Sequence, residues 1–415
     1  MARLRDIVVD VTPLRRSRQF RLLYVAVSLS AVGSRVTDVA IPVQVWRLTH
    51  STFAVGGVAA VTMIPRLVFS VMGGALADAK ERRRLIIGAE AVGLLASFAL
   101  AINATTSHPR LWLVYVLAAM SASGYSLGSA PSRSTVPLVI EPDLLTPALA
   151  LQSITWSISW LIGPAIGGVL IASFGLAAPY FVDVGSFALA LACLWAMAAI
   201  PPVTDTNRVS WRSVTEGVRA MWQRPPVAGC FLVDLNAMVF GFPSALFPAV
   251  AALRFPNHQG FIGLLYSAPF AGSLIASATS GWSKRVKRQG RAVIVAAGAW
   301  GAAIVGFGLV SSLWASLVFL AAAGGCDMVS GVFRQSILNT ATPPEMLGRM
   351  EGVGMAVWTT GPALGDLEAG GVASLTSVTT SIVSGGAICV AGTLALAVAL
   401  PAFARYERPV TVKAS

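Results

Sequence analysis

The stretch from Gly74 to Arg84 reads GALADAKERRR and closes an apolar run that begins at Phe53. Asp78 would stand at the C-terminal end of a helix, where the helix dipole is already negative, so its carboxylate needs compensation. Arg82, Arg83 and Arg84 can supply it locally, and the N-terminus of another helix can supply it from a distance. Basic residues after an apolar run also serve as an ordinary stop-transfer loop. That role requires only the cations, whereas Gly-x-Leu-Ala-Asp followed by Arg-Arg points to a specific device.

Outward from this loop, the chain is a succession of twelve apolar stretches of the length, about twenty residues, that crosses a bilayer as a helix. They run near Phe20–Trp46, Phe53–Ala77, Leu85–Asn103, Leu111–Pro131, Leu145–Ala172 and Pro179–Ile200, then Val227–Leu253, Phe261–Trp282, Val293–Ser311, Leu313–Thr340, Leu347–Leu375 and Ser377–Leu400. Lys and Arg crowd the N-terminal segment, the second, sixth and eighth connections and the tail, while the odd connections hold only Arg47, Arg110 and Arg254. By the positive-inside rule both termini are expected on the cytoplasmic side. With 55% hydrophobic and 12% charged residues, a soluble globular fold is excluded. The net charge of +12 is scattered over many loops, with no basic domain to hold nucleic acid, and fits anionic lipid headgroups.

The longest polar break, Pro201 to Pro226, separates a half at 1–200 from a half at 227–400, with a tail at 401–415. Within the break Trp211, Val214, Val218, Met221 and Trp222 recur at helical spacing while Arg212, Glu216 and Arg219 face away, which predicts an amphipathic helix at the membrane surface. The halves echo one another. Gly163-Pro164-Ala-Ile-Gly167-Gly168 in the fifth span matches Gly361-Pro362-Ala-Leu-Gly365-Asp366 in the eleventh, as in a duplicated transporter. The expected fold is therefore all-α, twelve transmembrane helices in two pseudo-symmetric halves. The basic first twenty residues lack an apolar core, so no cleavable signal is expected.

The loop resembles the signature of the major facilitator superfamily between its second and third helices, matching at Gly74, Leu76, Ala77, Asp78, Arg82 and Arg83. It departs where Ala79 replaces a usual Arg and Glu81 a usual Gly. The resemblance implies that Asp78 docks on the start of the eleventh span, here near Gly348 and Arg349, and latches the halves in one access state. Gly163, Pro164, Gly167 and Gly168 resemble the fifth-helix signature of the antiporter branch, although Ala150 and Ser159 stand near where upstream glycines belong. A generic proline kink would read the same way. AIPVQVWRLTHST from Ala40, GGALADAKERRRLI from Gly73, IGLLYSAP from Ile262 and TPPEMLGRMEG from Thr342 narrow the likeness to bacterial exporters of siderophores and drugs. It implies a proton-driven exporter of the cytoplasmic (inner) membrane, working as a monomer on a siderophore such as enterobactin. Amphiphilic antibiotics, macrolides among them, are the alternative cargo, and a solute importer or a non-transporting sensor remains a further reading.

Ionisable residues inside spans face a cavity or a partner, because a bare charge in hydrocarbon is costly. Arg35 and Asp38 lie three apart on one helical face. Either Asp38 carries a proton as access alternates, or the two form a permanent ion pair. Asp234 occupies the corresponding span of the second half, and Asp327 and Arg334 are seven apart on one face of the tenth. Glu90, Asp183, Arg66, Asp366 and Glu368 are weaker candidates, Asp183 because it lies near the start of its span, where solvation would suffice. Trp156 and Trp160 share a face before one kink and Trp358 precedes the other, suiting an amphiphilic cargo or lipid packing. His50, His108 and His258 are well separated, the four cysteines lack CxxC spacing, and no GxxxxGK[ST] loop occurs. No enzyme activity, cofactor or metal is therefore expected.

Overall fold

The computed structural model describes residues 10–200 and 218–408, without the side chains of Ala75, Asp78, residues 257–259, Pro344 and Glu345. Among the described residues all regular structure is helical. The long elements are α1 (Arg18–Thr49), α2 (Thr52–Ala79), α3 (Arg82–Thr105), α4 (Leu111–Thr135), α5 (Leu145–Phe174) and α6 (Ala177–Trp195). After residues 201–217 come α7 (Pro225–Phe240), α8 (Phe247–Arg254), α9 (Ile262–Ala278), α10 (Gln289–Leu309), α11 (Leu313–Ala341), α12 (Pro344–Leu375) and α13 (Val378–Ala399). Counting α7 and α8 as one interrupted span, these are the twelve membrane helices of the major facilitator fold. Ten of the spans are long and apolar enough to cross a bilayer on those grounds alone. Of the other two, α9 has only 17 residues, and α12 is diluted by Glu351, Asp366 and Glu368.

One sequence expectation changes and another lies largely outside the described residues. The seventh span is broken, because Gly241-Phe242-Pro243 interrupts the helical ladder and a 3-10 turn at Ser244–Leu246 leads into α8. Gly removes side-chain restraint and Pro removes an amide donor, so the break falls where helix continuation is least favoured. Asp366 stabilises it from α12: its Oδ1 accepts from Ser244 Oγ at 2.6 Å and from the Ala245 N–H at 2.8 Å. The amphipathic helix expected in the 201–226 break falls largely on residues outside the described set; residues 218–222 are helical, with Met221 buried and Trp222 exposed.

The chain resolves into two compact units, one of residues 1–48 and 64–209, the other of 49–63 and 210–415. In the first, α3 packs between α4 and α6; in the second, α10 packs between α11 and α13. These are equivalent spans of the two halves. The repeat extends to backbone approach: Gly73 of α2 lies against Leu127 of α4, and Gly272 of α9 against Ala321 of α11. Small residues at such points let helices close without a hydrophobic drive between them. Phe20, Leu23, Ile86 and Leu194 fill the core at one end of the first unit, and Phe333, Val293 and Phe403 fill a counterpart in the second.

Candidate functional site

Each unit holds an ion cluster beside a Gly-Pro helix. In the first, Arg35 Nη1 lies 2.6 Å from Asp38 Oδ2. Its guanidinium sits 4.1 Å from the Trp160 ring centre of α5 and 5.7 Å from that of Tyr125 of α4. Three helices thus fix one cation, a carboxylate on one side and π faces on the other. Arg35 is nearly enclosed, whereas Asp38 keeps 39% of its side chain accessible. The carboxylate is the more accessible partner of the pair.

In the second unit Arg334 of α11 pairs through Nη1 with Asp234 Oδ1 of α7, and Nη2 reaches Asp327 Oδ1 at 3.4 Å. The Trp358 Nε1–H of α12 donates to Asp234 Oδ2 at 3.0 Å. Asp234 is buried and doubly satisfied. Asp327 has only the longer contact and 43% side-chain accessibility. Two carboxylates therefore share one guanidinium, and the more weakly held one is also the more accessible.

The Gly-Pro motifs place these clusters. A methyl on Gly163 would strike the Arg35 Cβ, and one on Gly167 would stand 2.8 Å from the Val36 carbonyl oxygen, so α5 meets α1 along this face. Gly361 and Gly365 of α12 meet α7 at Met238 and Val239 in the same manner. Pro164 and Gly168 are buried on the α5 face with them.

Behind Arg35 and Asp38, α1 turns a polar seam toward α3 and α6. Asp183 Oδ2 accepts from Thr37 Oγ1 at 2.9 Å and Ser97 Oγ at 2.6 Å, with Ser186 Oγ 3.3 Å from Oδ1. Ser30 Oγ lies 3.2 Å from Glu90 Oε1. Gly33 sits between these hydroxyl positions, where a Cβ would come 2.6 Å from Asp183 Oδ1. Asp183 is 1% exposed. The expectation of an interfacial, solvated Asp183 is thus corrected: it lies two turns into α6 and is sealed by α1 and α3.

Comparison with known proteins now bears on this arrangement. The family described as transmembrane secretion effector matches residues 9–411. The chain belongs to that family. It is 29% identical over 403 residues to the enterobactin exporter EntS of Citrobacter koseri, covering 97% of this chain and 96% of the relative. It is 30% identical over 409 residues to that of Escherichia coli O1:K1 / APEC, covering 98% of both. Among solved structures, it aligns with the nucleoside transporter NupG at TM-score 0.71 and 14% identity, covering 94% of this chain and 99% of that one. A bacterial homologue of the human lysosomal transporter Spinster, inward-facing and unoccupied, aligns at 0.68 and 13%, covering 93% and 95%. Those likenesses establish the shared fold. This secretion effector is a multi-pass inner-membrane transporter of small-molecule cargo.

In this secretion effector the signature loop divides its labour. Arg83 donates from Nε to the Leu194 carbonyl at 2.9 Å and from Nη2 to the Trp195 carbonyl at 2.8 Å. It thereby caps the end of α6 within its own unit, where a cation also suits the helix dipole. Arg82 is buried, its backbone N–H donating to the Ile200 carbonyl at 3.3 Å. Arg84 pairs with Glu81 at 2.6 Å, so the residue replacing the usual Gly holds a cation. Gly74 is half-buried, Gly348 and Arg349 are exposed near the start of α12, and the Asp78 side chain lies outside the described residues. The burial of the Glu90 and Asp183 seam had a partial signal in the sequence. That signal was the spacing of Ser30, Gly33 and Thr37, small or hydroxyl residues on one face of α1.

Proposed function

We propose that this protein is a proton-driven exporter of a siderophore of the enterobactin kind. Near-complete coverage of both chains in the similarity to enterobactin exporters carries this reading. Amphiphilic antibiotics such as macrolides are the second reading, supported by Trp156, half exposed on α5 with its ring centre 5.9 Å from that of Trp160 and tilted to it by 59°. The chain moves cargo without altering it and acts as a monomer, with both termini and the 201–226 connection cytoplasmic. An impermeant thiol reagent should leave a cysteine at Ser210 unlabelled in intact cells; labelling from outside would reverse the topology.

Asp38 serves as the exchanging carboxylate of the first unit and Asp327 as that of the second, with Arg35 and Arg334 as their fixed counter-charges. The test is purified protein in proteoliposomes with an imposed pH gradient, enterobactin and a macrolide assayed in parallel. Uphill movement of enterobactin is expected; movement of the macrolide alone would replace the siderophore reading.

Asp78 serves as the latch carboxylate of the signature loop, with Arg82 as its supporting cation. Asp78→Asn should impair efflux at wild-type membrane abundance, and Arg82→Ala should share the defect. Equal efflux per molecule in Asp78→Asn would remove the latch. Arg83→Ala should instead lower thermal stability, since its bonds go to α6.

A further inference from the structure

After α13 the chain turns through Pro401–Ala404 and lies against the segment before α10. The Gly290 N–H donates to the Tyr406 carbonyl at 3.2 Å and the Arg408 N–H to the Lys287 carbonyl at 2.9 Å. Between the start of α10 and the end of α13 this leaves a cavity of about 610 Å³, whose lining includes three cations, Arg288, Arg291 and Arg405, one carboxylate, Glu407, and the apolar Val295 and Ala397.

The charges there are unequally satisfied. Arg288 is paired with Glu407 at 3.1 Å. The guanidiniums of Arg291 and Arg405 have no hydrogen bond or ion pair among the described residues. Directly along the helices from these cations the surface becomes apolar: Val295, one turn beyond Arg291, is 70% exposed, and Val398 of α13 is 81% exposed. Both helices cross the membrane. The concavity therefore offers two unneutralised guanidiniums at the bilayer edge and an apolar wall running into the hydrocarbon.

We propose that this cavity is a binding site for an anionic phospholipid, its phosphate diester held by Arg291 and Arg405 and an acyl chain laid along Val295 and Val398. A phosphate matches guanidinium donors, and a basic pocket between membrane helices is suited to acidic headgroups. A zwitterionic lipid brings an ammonium toward the same cations and fits worse. The bound lipid would tie the returning C-terminal segment to α10 and α13, whatever the cargo.

The experiment compares full-length wild type with the Arg291→Gln/Arg405→Gln double variant, both purified in detergent, delipidated and titrated with short-chain phosphatidylglycerol. Arg285→Gln, in the loop outside the cavity, is the control. Native mass spectrometry should show bound phosphatidylglycerol in wild type and control, and roughly thirtyfold weaker binding in the double variant, from about 1 kcal/mol for each of two basic residues. Phosphatidylcholine should bind no better than to the double variant. Thermal unfolding in the same samples should rise with phosphatidylglycerol and not with equal inorganic phosphate. Unchanged binding in the double variant, equal binding of phosphatidylcholine, or equal stabilisation by inorganic phosphate would each overturn the assignment.

Discussion

Replacing Arg334 by methionine is expected to destabilise the protein by about 3–5 kcal/mol and to deplete it from the membrane, because a buried ion pair that loses one partner leaves an uncompensated charge. Here the stranded group is Asp234, buried in α7 and left with only the Trp358 N–H. Asp327, more accessible, loses only its longer contact. The damage should therefore be repaired by also removing Asp234. An Asp234→Leu/Arg334→Met protein fills the site with apolar volume and should recover abundance and melting temperature without recovering uphill transport. Quantified membrane abundance and thermal unfolding in detergent check both arms. A single Arg334→Met variant as stable as wild type would show that the guanidinium does not neutralise Asp234.

Much of this architecture was legible because hydrocarbon thickness imposes a length and an apolarity that residues display directly. The repeated Gly-Pro motif also pointed to close packing, and Gly163 and Gly361 are points of close approach in their own units. What sequence could not show was the other surface. That Gly163 meets Arg35 and Gly361 meets Met238 depends on contacts more than one hundred residues apart. The break at Gly241–Pro243 escaped notice because apolar content is the same on either side of it. Asp183 was misplaced for a related reason. The fifth residue of a span expected to begin at Pro179 suggests an interface, but its burial is decided by Thr37 and Ser97, which lie 146 and 86 residues away. Asp327 and Arg334 could be placed on one face by spacing, whereas Asp234 as their third member required the packing of α7 on α11.

Asp38→Asn is expected to abolish concentrative efflux while leaving cargo binding and exchange intact. The geometry separates these effects. Arg35 is held by Trp160 and Tyr125 independently of Asp38, so an amide at position 38 leaves the cation in place and the fold undisturbed. Asp38 itself keeps 39% of its side chain accessible, and the contact of α1 with α5 runs through Arg35 and Trp160 and does not depend on its charge. Asp327→Asn should behave likewise, because Arg334 remains paired with Asp234. With one proton exchanged per cargo molecule and the membrane potential clamped at zero, a gradient of one pH unit supports about tenfold accumulation in wild type. Either variant should stop at equal concentrations on both sides of the membrane. Counterflow, in which labelled enterobactin exchanges for unlabelled with no net proton movement, should continue near the wild-type rate in both. Tenfold accumulation by Asp38→Asn would exclude that carboxylate from coupling, and accumulation by wild type that survives a proton ionophore would exclude proton coupling altogether.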